Sequence, residues 1–218
     1  MVKRLLFFLL LLEAGNAISQ TATDTTLHQR KIYVVSGMGW GFALGKTKEV
    51  LHAKFSSNLG LDISLDNRHY FIYPSLDFLT FGYNQQVHDP DYAYDLEEGR
   101  SNFYILNLAA GVRKQFEQLS VYAFAGPGAG VMVEPRAMVL PDQHKVTIEN
   151  IVHVTPSMRS GMGVDYKLGG FFLFIEGGWL YNFRNIQDRP VNVISCYGGL
   201  KTDVTRLGNR VSQALGIE

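Results

Sequence analysis

Residues 55–65 read Phe55-Ser56-Ser57-Asn58-Leu59-Gly60-Leu61-Asp62-Ile63-Ser64-Leu65, and Asp66-Asn67-Arg68-His69 separate them from a second apolar run that begins at Tyr70. On an extended chain Phe55, Ser57, Leu59, Leu61, Ile63 and Leu65 share one face, and Ser56, Asn58, Gly60, Asp62 and Ser64 share the other. A repeat of two marks a strand with one apolar and one wet side. The four polar residues after it leave room for a tight turn and no crossover, so the next strand runs antiparallel.

The same pattern recurs along the chain and predicts eight strands, at 31–45, 53–65, 70–83, 102–116, 120–133, 152–166, 171–183 and 191–203. Their connections alternate in length. Short ones fall at 66–69, 117–119 and 167–170, and longer ones at 46–52, 84–101, 134–151 and 184–190. Each strand is long enough to cover the ~9–11 tilted residues that cross a bilayer, and short turns on one side with long loops on the other are how membrane β-barrels are wired. The expected fold is therefore all-β, a closed antiparallel up-and-down transmembrane β-barrel of about eight strands. Both chain ends then lie with the short turns, on the periplasmic side, and the long loops face outward.

Sorting each strand into two faces predicts what fills the barrel. In 152–166, Val154, Pro156, Met158, Met162, Val164 and Tyr166 fall on one side, and His153, Thr155, Ser157, Arg159, Gly161, Gly163 and Asp165 on the other. Other strands place Asp62, Asp77, Arg113 and Glu176 on the same inner side. Unpaired charges in a narrow interior are costly, so a lumenal network of Asp62, Asp77, Arg113, Arg159, Asp165 and Glu176 is expected, supporting the barrel as a plug. A selective ion or proton path is the alternative.

Aromatic residues gather near the strand ends. Trp40, Phe42, Tyr83, Tyr104, Trp179 and Tyr181 lie near the outer loops, and Tyr70, Phe116, Tyr166 and Phe171 near the turns, as two girdles at lipid–water interfaces would require. Pro74, Pro127 and Pro156 cut against unbroken strands, because each lacks a ladder donor. Local bulges near Gly126-Pro127-Gly128 and residues 156–163, or strand limits shifted by a few residues, are expected in consequence. The last strand has the weakest pattern, and Cys196 within it is expected to be a small packed residue.

The N-terminal segment reads as export machinery. Lys3 and Arg4 precede the apolar run Leu5–Leu12, and small residues at 15–19 suit a signal peptidase, so residues 1–19 are expected to be a cleaved signal peptide. Residues 20–30 form a linker, 31–205 the barrel, and 206–218 a short periplasmic tail. The 18% charged residues fall below the usual quarter, and the net charge of +0 lacks the basic excess of a nucleic-acid binder. One cysteine permits no internal disulfide.

The stretches Tyr122-Ala123-Phe124-Ala125-Gly126-Pro127-Gly128-Ala129-Gly130 and Gly161-Met162-Gly163-Val164-Asp165-Tyr166, with the hairpin into 171–181, resemble small outer-membrane β-barrel proteins of Gram-negative bacteria, most of all the PorT-like family. The resemblance spans residues 31–203. It implies an outer-membrane location and no common ligand or reaction.

Chemistry is sparse. No phosphate loop, paired-cysteine metal site or Gly-x-Ser-x-Gly elbow occurs. Gly37-Met38-Gly39-Trp40-Gly41 lacks the spacing of a dinucleotide loop and reads as a glycine-rich strand allowing curvature. The acidic run 89–98 fails the EF-hand pattern at Ala93 and reads as a solvated loop. His52, His88, His144 and His153, with Ser101, Asp89 and Asp142, fall toward the outer end without forming a motif. The expected function is thus a non-enzymatic envelope, adhesion or partner-binding barrel acting through its outer loops, without cofactor or metal. Its partners are outer-membrane lipid, including lipopolysaccharide, and a protein at the extracellular loops, with no nucleic acid, and the barrel is a monomer. The alternatives are a barrel enzyme at the outer rim, a secretion-associated component and a narrow channel.

Overall fold

A computed structural model describes residues 31–65, 67–86, 96–140 and 145–205. The expected signal segment, linker and C-terminal tail lie outside these residues, as do Asp66, most of the acidic loop, and His88, Asp89, Asp142 and His144. The elements in order are β1 (Ile32–Ala43), a 3-10 helix (Gly45–Glu49), β2 (Leu51–Ala53), β3 (Phe55–Ser64), β4 (Tyr70–Tyr83), β5 (Gly99–Gln115), β6 (Leu119–Leu140), β7 (Lys145–Leu168), β8 (Phe171–Ile186) and β9 (Arg189–Asp203).

All pairings are antiparallel. β1 pairs with β3 on one side and with β9 on the other, and the ladder runs on through β8, β7, β6, β5 and β4 back to β3. The sheet therefore closes into an eight-stranded up-and-down barrel, and β2 is a short extra strand on β4. Closure leaves no edge along the barrel wall.

Inward and outward positions alternate as a period of two requires. Ser56, Asn58, Gly60, Asp62 and Ser64 of β3 are buried, whereas Phe55, Leu59 and Leu61 are exposed. The interior is packed by matching rings to glycines. A Cβ at Gly111 would strike the Phe71 ring, one at Gly161 the Phe124 ring, and one at Gly163 the Tyr122 ring. Gly37, in the stretch expected to serve curvature, likewise makes room, since a Cβ there would meet Asn58 and the Phe174 ring. Small and large residues facing one another are how a barrel of this size is filled.

Two expectations about connections fail, each for a physical reason. Residues 134–140 and 145–151 are strand rather than loop, because β6 and β7 remain paired from Leu119↔Tyr166 to Leu140↔Lys145. The segment 184–190 is no long loop either. β8 and β9 meet through the two residues Gln187 and Asp188, both at positive φ (47° and 58°), the signature of a tight hairpin turn. That turn usually announces itself with Asn-Gly, which is absent here. Instead Gln187 is held from inside, donating to the Tyr83 hydroxyl at 2.6 Å.

Of the two outcomes expected around the prolines, the strand limits shift, with β6 and β7 running past their expected ends, and no bulge forms there. At Pro127 the β5–β6 pairing lapses between Asn107↔Gly128 and Ala110↔Ala125 and resumes in the same register, and Pro74 and Pro156 likewise sit in unshifted ladders. The missing donors are absorbed by short gaps. The register shift in the β8–β9 ladder lies at Asn182/Asn185, away from any of the three. Two side-chain placements need correction as well. Tyr83 is fully buried in the lumen rather than in a girdle, and Cys196 is exposed on the outer face rather than packed.

A substitution pair tests this packing. Gly163→Val drives a side chain into Tyr122 and the Ile175 carbonyl, so it should destabilise the barrel by about 3 kcal/mol or more. Met162→Val, on the exposed face next to it, should cost about 1 kcal/mol or less. Denaturant unfolding of the refolded protein in detergent distinguishes the two.

Candidate functional site

The lumen is organised in storeys along the barrel axis. Nearest the short turns, Arg113 from β5 donates to Asp62 of β3 at 2.5 Å. Lys201 from β9 lies 3.0 Å from Asp165 of β7 and 3.5 Å from Asp62. Both cations also lie over rings, Arg113 on Phe71 at 4.4 Å and Lys201 on Tyr122 at 3.9 Å, contacts that gain strength out of water.

Arg159 anchors the middle storey. Its guanidinium reaches Glu176 of β8 at 2.7 Å, Asp77 of β4 at 3.2 Å and Ser75 at 2.7 Å. Asn107 donates to Asp77 at 2.8 Å, and the Tyr122 hydroxyl donates to Glu176 at 3.0 Å. One planar fork thereby ties three strands across the lumen, a geometry that a lysine ammonium does not reproduce. The six residues named from the sequence fall into two clusters joined through Tyr122, which packs between Lys201 and Glu176.

Lys201, which sequence reasoning passed over, changes the balance. Asp62, Asp77, Asp165 and Glu176 are four carboxylates facing Arg113 and Arg159, and Lys201 supplies a third cation between two of them. It was legible: β9 continues its inward set Val191, Val193, Ser195 and Tyr197 to Lys201, two turns of the alternation further on.

Above the charges the lumen is largely apolar. Leu79, Phe81, Phe103, Ile105, Met132, Leu180, Val191 and Val193 form one buried cluster, and Val50 and Leu51 fold over it from the β1–β3 connection. At the loop end a polar knot crowns this layer. Glu134 of β6, 1% exposed, accepts from Tyr83 at 2.6 Å and Arg136 at 3.2 Å, and lies 3.2 Å from His153. At the turn end the mouth opens into a cavity of about 160 Å³ bounded by Tyr33, Arg68, Gln115, Lys167 and Phe172.

The candidate catalytic residues are dispersed. The Ser101 hydroxyl donates to the Val133 carbonyl at 2.7 Å, His153 faces Glu134, and His52 lies 3.1 Å from Asn84 on the outside. No nucleophile and base meet among these described residues.

Outside, the barrel carries a broad apolar belt. Leu59, Leu106, Leu108, Met162, Ile175 and Leu200 are exposed, Met162 and Ile175 at 69% and 68%. The outward positions of β3 from Phe55 to Ile63, β5 from Asn102 to Val112 and β8 from Phe171 to Phe183 include no charged residue. Trp40, Phe42, Tyr104 and Trp179 stand exposed toward the loop end, with Tyr181 half-buried. Tyr70, Phe116 and Phe171 stand exposed toward the turn end, and the half-buried Tyr166 donates to Gln118 there at 2.8 Å. Ten residues separate Phe171 from Tyr181 on β8, about 33 Å of strand and ~25 Å of height at a tilt of ~40°.

The ion network makes a sharp stability prediction. Arg159→Met leaves Asp77 and Glu176 without their cation and should cost about 3–5 kcal/mol, and Lys201→Met should cost a similar amount. Leu61→Met on the outer face should stay within about 1.5 kcal/mol. Urea unfolding in detergent micelles measures all three, and equal tolerance would contradict the face assignment.

No family model matches this chain, and no curated protein matches it in sequence. Among solved structures it is similar to Neisserial surface protein A (NspA), with 11% identity over 79% of this chain and 96% of that chain, at a TM-score of 0.48. It is also similar to Ail, the attachment invasion locus protein of Yersinia pestis, with 13% identity over 79% and 97% at a TM-score of 0.41. The N-terminal β-barrel domain of Pseudomonas aeruginosa OprF aligns with 11% identity over 80% and 98% at a TM-score of 0.40. The barrel assignment itself rests on the closed ladder of strands.

Proposed function

We propose that this protein is a non-enzymatic outer-membrane anchor of a Gram-negative bacterium, exported by residues 1–19, that displays the β6–β7 hairpin to an extracellular protein partner. The belt supports the location: monomeric soluble proteins rarely expose apolar patches beyond a few hundred Å², and lipid is the solvent in which such a belt is stable. A monomer accounts for it without a second copy.

The hairpin carries the functional part of the reading. β5 leaves β6 at Asn102↔Val133, and β8 leaves β7 at Ser157↔Asn182, yet β6 and β7 stay paired seven rungs past Val133 to Leu140↔Lys145. That projects a two-stranded arm roughly 20 Å along the strands beyond its neighbours. Its outward face presents Ile148, Val152 and Val154, the last 71% exposed. The β6 side of the arm is partly covered, since the Ala137 amide donates to Gln85 at 3.2 Å. On the β7 side no strand pairs above Ser157 among the described residues, and an unpaired edge beside alternating apolar residues suits an added strand from an extended peptide.

The other readings fit less well. A channel would have to pass the buried apolar layer of Leu79, Phe81, Phe103 and Met132. An outer-rim enzyme would need Ser101 and His153, both engaged elsewhere. PorT-like kinship, with a secretion-associated partner, is a narrower form of the present proposal and rests on the glycine-rich sequences of β6 and β7.

The experiment is to shorten the arm, replacing residues 137–148 with Asn-Gly so that Arg136 and Glu149 close a tight turn. Cell fractionation should find both proteins in the outer membrane, with gel mobility that changes on boiling, while the shortened form loses host-surface adhesion or partner capture. Recovery of the intact protein as a soluble periplasmic species would overturn the location. Undiminished adhesion by the shortened form would overturn the role of the hairpin.

A further inference from the structure

One inward position beyond Arg159, toward the loop end, the strand register sets polar side chains around a bare stretch of backbone. Asn107 of β5 pairs with Gly128 of β6, Gly128 with Ser157 of β7, and Ser157 with Asn182 of β8, so the four form one belt across the lumen. The three side chains are buried, Asn107 at 1%, Ser157 at 2% and Asn182 at 0% exposure. Asn107 spends both amide hydrogens, on Asp77 at 2.8 Å and on the Ile105 carbonyl at 3.3 Å. A carboxylate and a carbonyl only accept, so the amide is fixed and its Oδ1 faces the other way. A Cβ at Gly128 would run into that Oδ1 and stand 2.6 Å from Ser157 Oγ. Among the described residues Asn107 Oδ1, Ser157 Oγ and both amide atoms of Asn182 make no hydrogen bond. A buried polar atom without a partner carries its full desolvation cost.

The two charged clusters of the lumen differ in balance. Nearest the turns, Arg113 and Lys201 answer Asp62 and Asp165, two charges against two. In the middle storey Arg159 alone answers Asp77 and Glu176, which leaves one negative charge in excess. That excess lies beside the belt. Asp77 holds Asn107 through Oδ2, and its Oδ1 is a further buried oxygen with no hydrogen bond among the described residues. Uncompensated charge out of water is costly. A proton on a carboxylate would cancel the charge and leave the oxygens over Gly128 unmet, and a water there would meet the oxygens and leave the charge. A monovalent cation does both, whereas a divalent one turns the excess positive. Asn107 Oδ1 and Ser157 Oγ stand within about 5 Å of each other across Gly128, and a hard cation takes oxygen ligands at about 2.3–2.6 Å, so one ion spans the pair.

We propose that Asn107, Ser157 and Asn182 bind a monovalent cation of sodium's size over Gly128, where it balances Asp77 and Glu176. The ligands are two amide carbonyls and a hydroxyl, the neutral oxygens that suit a hard ion. Asn107 is the strongest of them, because donating to Asp77 polarises its amide toward Oδ1. Arg159, the nearest like charge, is turned to Glu176, Asp77 and Ser75. The ion is resident rather than conducted. The buried layer of Leu79, Phe103 and Met132 lies on its loop side, and the Arg113–Asp62 and Lys201–Asp165 pairs lie on its turn side. It is therefore taken up as the barrel closes.

The test refolds the exported chain in non-ionic detergent with sodium chloride, or with choline chloride at the same ionic strength, choline being too large to reach these oxygens together. An ion bound only by the folded barrel stabilises it by mass action, so the folding equilibrium constant from urea unfolding should rise about five- to tenfold between roughly 10 and 100 mM sodium. Barrels refolded with radioactive sodium and then desalted should each retain a single ion. Asp77→Asn keeps an acceptor for the Asn107 amide and removes the excess charge. It should abolish both responses and be no less stable than the wild type in choline. Ser157→Ala, which keeps every charge, should weaken the sodium dependence several-fold, and Ser120→Ala, a buried serine at the turn end, should leave it unchanged. Boiling-dependent gel mobility shows which variants fold, and Ser157→Ala carries the comparison if Asp77→Asn does not. Equal stability of the wild type in the two salts, or a barrel that retains no sodium, overturns the site, as does a sodium response that survives in Asp77→Asn.

Discussion

Every feature of this molecule follows from the need to satisfy backbone donors and acceptors behind an apolar outer surface. In an apolar surround an unpaired N–H or C=O costs several kcal/mol, so a sheet whose outer positions are Leu, Val, Ile, Met and Phe must close on itself. Closure with eight strands fixes a lumen too narrow for an open pore. The polar halves of the strands are then forced into one another. Arg159, Arg113 and Lys201 become tie rods between strands distant in sequence, Arg159 joining β7 to β4 and β8, and Lys201 joining β9 to β7 and β3. These pairs do not make the fold favourable by themselves, since desolvation offsets much of their attraction.

The same constraint explains why freedom is found at one end. Once β5 and β8 peel away, β6 and β7 no longer face a closed wall, and their paired backbone can continue as a freestanding ribbon. An isolated two-stranded ribbon is marginal in water. Here it grows from a rigid base, where Glu134 is fixed by Tyr83 and Arg136 and lies beside His153, and Gln85 takes the Ala137 amide. Recognition surfaces are commonly loops carried on such scaffolds. In this barrel the element proposed to be displayed is a strand pair rather than a loop.

The period of two in 55–65 and in 152–166 made the barrel and its two faces legible, because alternation directly encodes which side chains meet water or lipid. What alternation does not encode is where a ladder stops. Residues 134–151 look like a loop because Glu134, Pro135, Arg136 and Pro141-Asp142 interrupt the apolar rhythm, yet a solvent-exposed hairpin needs no apolar rhythm to stay paired. The Gln187-Asp188 turn escaped notice because its positive φ values are enforced by a lumenal hydrogen bond to Tyr83 rather than by glycine. Tyr83 itself looks like a girdle residue by its position at a strand end, and only its odd place in the inward series 71–83 betrays it. Lys201 was within reach, because the inward set of β9 runs on to it from Tyr197, and the mixed first half of that strand only drew attention away from it.

The measurement that addresses the account most directly is amide NMR of the refolded protein in bicelles doped with a nitroxide on the acyl chain. Line broadening should be confined to a continuous band through the middle of all eight barrel strands, including Leu59, Leu106, Met162 and Ile175. The amides of 137–140 and 145–150 should stay sharp, with cross-strand contacts still linking Ala137 to Ile148. A protein that is monomeric and folded without detergent and shows no broadened band would contradict the account, as would an arm whose amides broaden with the barrel.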